Sequence, residues 1–175
     1  AAFARGVAKA ADGSSSIARV VLGPVVLVGV VVISAAAFFM IKTTGSSTRF
    51  MLDYGDQLAA AVYSGVQHLY FGLVTLAMAV VCIGQLASVR GITRTATIVL
   101  LIGSLGQTLT SIVVIVMDVA HVAGNESLLR LGQYFYDYGN SLSIVLIAAG
   151  LVMLPSARFL DSRRTNAQIA RLVEE

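Results

Sequence analysis

Charge is what this sequence has least of. Asp, Glu, Lys and Arg make up 12% of its 175 residues, about half the ~25% of a soluble domain. So little charge cannot cover a water-facing surface, and a soluble globule is excluded. The residues Ala, Val, Ile, Leu, Met, Phe, Trp, Tyr and Cys supply 57%, and the mean hydropathy is +0.86. Both values indicate an integral membrane protein. Four crossings of about 20 residues each would take up nearly half the chain, leaving no room for a separate soluble domain.

A second cysteine is also missing. Cys82 stands alone in an apolar run, so no internal disulfide or thiolate metal site can form, and it reads as a small buried apolar residue. No serine–histidine–acid arrangement with elbow glycines is present, nor any phosphate-binding glycine loop. Two histidines and few acids supply no set of metal ligands at a usable spacing. No catalytic residue, metal or cofactor is therefore assigned, and an enzyme is not expected. The net charge of +3 does not point to nucleic acid, because the basic residues are scattered at helix ends.

What is present is four apolar runs. They predict an all-α integral membrane four-helix bundle spanning 20–157, with crossings at about 20–41, 58–87, 96–117 and 138–157. The first run is uncharged, and at 1.5 Å per residue it is about 33 Å long, enough for a ~30 Å bilayer core. It is too long for the apolar part of a cleavable leader, so it reads as a retained helix. Pro24 falls in its first turn, where a missing N–H costs little. Residues 1–19 read as a basic amphipathic segment on the inner surface, and 158–175 as a cytoplasmic tail helix.

Four crossings put both termini on one side. Arg5, Lys9, Arg19, Arg90, Arg94, Arg158, Arg163, Arg164 and Arg171 would share that side; Lys42, Arg49 and Arg130 would lie opposite. Nine against three places both termini in the cytoplasm by the positive-inside rule. Ten Arg to two Lys fits a GC-rich bacterium, hence a bacterial cytoplasmic membrane.

All six tyrosines gather toward the outer ends of the second and fourth runs, where a ring is buried and its hydroxyl wetted, forming an aromatic belt. A pattern also recurs there 84 residues apart: Asp53-Tyr54-Gly55-Asp56 and Asp137-Tyr138-Gly139-Asn140. It implies a duplicated helical hairpin. Each copy reads as a helix entry, with Gly55 or Gly139 at a bend and Asp56 or Asn140 (or Ser141) capping the first turn.

Polar residues inside the runs fall on stripes. Ser64, His68, Gly72, Thr75 and Ala79 share one face of the second helix. Ser104, Thr108 and Ser111 share a face of the third, with Gln107 beside them and Gly103, Gly106 and Thr110 adjoining. In lipid, small residues and interhelical hydrogen bonds hold helices together, so these stripes are expected to pack; alternatively they line a polar path. Asp118 and His121 read as an interfacial ion pair. A bis-histidine haem on His68 and His121 meets a depth mismatch: they lie 23 and 30 residues from Gly91, and seven residues amount to about 10 Å.

The expected function is a non-catalytic accessory subunit of a larger membrane complex, of respiratory or lipid-transport type. Its partners would be other membrane subunits and lipid. The alternatives are an oligomeric small-molecule or ion pathway through His68, Gln107 and Asp118, and a haem- or quinone-binding subunit.

Overall fold

Four helices account for almost all of the described chain. The computed structural model describes residues 23–43, 45 and 54–174, with side chains as far as Ser156. The surface segment expected over 1–19 and Asp53 of the repeated pattern lie outside the described residues, as do the tail's side chains.

Helix α1 is Pro24–Met40, α2 Leu58–Leu86, α3 Gly91–Val122 and α4 Glu126–Glu174. Three stretches are long and apolar enough to cross a membrane: Leu58–Leu86, Gly91–Val122 and Glu126–Ser156. The fold is all-helical, and these three helices are consistent with an integral membrane protein. Helix α1 is apolar but shorter, 17 residues, or about 25 Å. Pro24 occupies its first turn, as the sequence predicts.

The second boundary agrees with expectation to within a residue, whereas the third helix runs five residues further at each end. The fourth differs most. The segment 118–137, expected as an outer loop, is helical except for Ala123–Asn125. Two adjacent signals make this short turn. Gly124 takes φ +70°, and its N–H bonds to the His121 carbonyl while that of Asn125 reaches the Ala120 carbonyl, the double closure of a glycine-terminated helix. Asn125 then caps α4, its Oδ1 accepting the Leu128 N–H at 3.1 Å. Glu126 follows in the first turn, favoured by the helix dipole, and pairs with Arg130 at 3.2 Å.

This overturns the helix-entry reading of the repeat. Asp137, Tyr138, Gly139 and Asn140 lie inside α4, well past its start. At the first copy Gln57, not Asp56, is the cap residue of α2, with no side-chain capping bond. The two tyrosines differ too. Tyr54 is 8% exposed and donates its hydroxyl to the Gly45 carbonyl at 3.0 Å, whereas Tyr138 is 67% exposed and lies against Tyr134.

The extensive interfaces join successive helices: α1 to α2, α2 to α3, α3 to α4. Gln57 ties the first two, its Oε1 accepting from the Lys42 N–H and its Nε2 donating to the Lys42 carbonyl, both at 3.0 Å. Phe38 and Tyr63 pack beside this link, with ring centroids 5.7 Å apart. Toward the other end, Met78 and Cys82 of α2, Leu100 of α3, and Ile147, Leu151 and Leu154 of α4 form the apolar core.

Candidate functional site

Helix α3 is the centre of the polar interior, and its two small-residue strips face different neighbours. The α2–α3 hairpin turns at residues 87–90, so the helices run antiparallel with equal steps away from that turn. Thr75 meets Thr108, hydroxyl to hydroxyl, at 2.9 Å. One turn further from the hairpin Gly72 meets Ser111, where an added Cβ would stand 3.0 Å from the serine Cβ. Ser64 and Asp118 come level beyond that.

The hydroxyls on α3 are mostly committed to their own helix. Ser104 donates to the Leu100 carbonyl at 2.7 Å, Thr108 to Ser104 at 2.9 Å, Thr110 to Gly106 at 2.9 Å and Ser111 to Gln107 at 3.0 Å. Such back-bonding satisfies the polar hydrogen locally and leaves a small side chain that lets two backbones approach. Each threonine hydroxyl has one hydrogen. Thr75 also lies 3.1 Å from the Phe71 and Gly72 carbonyls, so one member of the Thr75–Thr108 pair donates across while the other bonds back.

The second strip faces α4. Gln107, 1% exposed, donates from Nε2 to Asn140 Oδ1 at 3.1 Å. A Cβ on Gly106 would stand 2.5 Å from Ser143 Oγ, and one on Gly103 2.8 Å from the Ile147 nitrogen. A Cβ on Gly150 would lie 2.8 Å from Leu100 Cβ. Glycine is needed here because backbone meets backbone. Gly132, Ser143 and Gly150 carry no motif of their own in the sequence, and Gly139 lies inside a helix, not at the expected bend. Their spacing of seven, four and seven residues, one helix face, is the signal that finds them.

A third group gathers near the α3–α4 turn. The imidazole Nδ1 of His68 lies 3.0 Å from the Ser64 carbonyl and 3.4 Å from the Ser64 hydroxyl. A carbonyl only accepts, so Nδ1 donates to it, which fixes the orientation of the ring. The Asp118 carboxylate lies level with Ser64 across the α2–α3 seam, in the electrostatic field of His68 and His121. Its Oδ2 is buried with no hydrogen-bond partner among the described residues. Asp118 and His121 do not close to an ion pair; Asp118 turns toward α2 instead. His121 lines a groove of about 390 Å³ with Asp56, Asn125, Glu126 and Arg130.

The expected candidates therefore separate into groups. Ser64, His68, Asp118 and His121 come together; Gly72, Ser104, Thr108 and Ser111 continue the α2–α3 seam; Gln107 faces Asn140 on the other side. The hairpin register keeps His68 and His121 about 10 Å apart in depth, one turn to either side of the Ser64–Asp118 level. Among the described residues no three His, Cys, Asp or Glu side chains are placed to hold a metal ion. No model of a known protein family matches the chain, and no curated protein or solved structure does either.

Proposed function

We propose that the chain is a non-catalytic accessory subunit of a larger membrane complex, packing against partner subunits and lipid. In this reading α1 also crosses the bilayer, and both termini are cytoplasmic. The observation that carries it is the back-bonding of the α3 hydroxyls. A stripe whose hydrogens are committed to its own carbonyls serves close packing, whereas a water-lined path needs free donors and acceptors. The glycine contacts between α3 and α4 agree, since they leave no space along that seam.

The outward faces support the same reading. Helix α1 has its extensive contact with α2 alone, and Val25, Val28, Val32 and Phe39 along it are exposed. On α4, Tyr134, Phe135, Tyr138, Leu142 and Val145 form another exposed apolar and aromatic face. Membrane partners or lipid would cover both. Purification from the native membrane in mild detergent tests the proposal. A constant set of larger membrane proteins at fixed stoichiometry is expected; a free monomer or homo-oligomer that transports solute in liposomes would overturn it. The pathway alternative draws on the Asp118–His68 group, but Gln107 faces away from it toward α4.

A further inference from the structure

Among the described residues three buried side-chain oxygens have no hydrogen-bond partner, on Ser34, Gln107 and Asp118, and Asp118 is the ionisable one. Elsewhere on α3 the polar hydrogens are committed, yet Asp118 Oδ2 is buried and has no hydrogen-bond partner among the described residues. Beside it stand the Ser64 hydroxyl, level with it on α2, and an imidazole whose orientation is set by the Ser64 carbonyl. One turn outward, His121 borders the groove that opens at the α3–α4 turn. One turn inward, the seam is closed by Gly72 against Ser111 and by Thr75 against Thr108.

We infer that Ser64, His68 and Asp118 form a proton-binding site, entered from the groove past His121 and closed toward the membrane interior. Uptake forms an O–H bond at Asp118 Oδ2, while a hydronium ion in the groove loses the proton and becomes water. His68, held by the Ser64 carbonyl, stands on the α2 side of the carboxylate. The ionisable groups around the site are Asp56 and His68 from α2 and its approach, and His121 from α3. From α4 come Glu126 and Arg130, which are paired with each other. A buried carboxylate is costly without a proton or a cationic partner; here both means of neutralisation are within reach. Because the inner side is closed, the site loads and unloads from one face and does not conduct.

A hydrophobic carbodiimide tests this, since it reacts with protonated carboxyls in apolar surroundings. The full chain in lipid nanodiscs is treated across a range from about pH 5 to about pH 9, and adducts are mapped by mass spectrometry. The expected result is a dominant adduct on Asp118, with a yield that falls about tenfold from the acid to the alkaline end. His68→Leu should change the Asp118 yield by about threefold or more at fixed pH, whereas Ser88→Ala should leave it alone. Adducts confined to Asp56, Glu126 and Asp137 would overturn the site, as would a yield on Asp118 independent of pH. The mapping uses the unaltered chain, so it does not depend on a variant folding. An Asp118 yield indifferent to His68→Leu, in protein that remains helical and monodisperse, would overturn the role of the imidazole.

Discussion

Gln107 and Asn140 meet across the α3–α4 seam, amide to amide, with Gln107 Nε2 3.1 Å from Asn140 Oδ1. Gln107 is among the most deeply buried polar side chains of the described chain, and its Oε1 has no partner among the described residues. The pair therefore acts as a single interhelical link. Hydrogen bonds between membrane helices contribute about 0.6 kcal/mol, up to about 1.7. Asn140→Leu, which strands a buried donor, should destabilise more than the double replacement Gln107→Leu with Asn140→Leu. A double-mutant cycle read by denaturation from mixed micelles should give a coupling of about 0.5–1.5 kcal/mol. Strict additivity would mean the link is not formed.

The glycines divide by what surrounds them. Gly103→Ala should cost about 1–3 kcal/mol, because the new methyl meets the backbone of Ile147 and forces the helices apart. Gly84→Ala lies within α2 with nothing within 4 Å. It should be neutral or stabilise by up to about 1 kcal/mol through helix propensity. Thermal unfolding of the two variants in one detergent compares them directly.

Back-bonded hydroxyls should be nearly dispensable. Ser104→Ala and Ser111→Ala remove groups bonded only to their own helix and should shift stability by no more than about 0.5–1 kcal/mol. Loss of a biological activity at full stability would instead favour the polar-path alternative. Growth or activity measured beside unfolding separates the two.

The turns report the orientation. Cys82 is buried and is the chain's single cysteine, so an introduced cysteine gives a clean signal. An impermeant maleimide should label Asn125→Cys in intact cells and Ser88→Cys only after the membrane is opened, as the positive-inside rule requires. The reverse pattern would place the termini outside.

Some of this architecture is legible in the residues, and the reason differs by element. The α2 boundaries follow from an apolar run flanked by polar residues. The two strips of α3 could be drawn because Ser104, Thr108 and Ser111, and separately Gly103, Gly106 and Thr110, repeat at helical spacing. The structure gives the first to α2 and the second to α4. The start of α4 was hidden by Asp137-Tyr138-Gly139-Asn140, which has the composition of a turn. At the headgroup level a helix tolerates such residues, so local polarity does not separate helix from loop there. The true stop and start, Gly124 and Asn125, occupy only two positions. Spacing along one helix pairs Asp118 with His121; its placement level with Ser64 depends on the hairpin register, which single-helix periodicity does not contain.

In the proposed role, the outward apolar faces lie against other membrane proteins. A photo-crosslinking amino acid at Val28 or Val32, both exposed on α1, tests it in the native membrane. The expected result is a discrete adduct to a larger membrane protein that also stays with the chain in mild detergent. Adducts to lipid alone, or to a second copy of the chain, would contradict it.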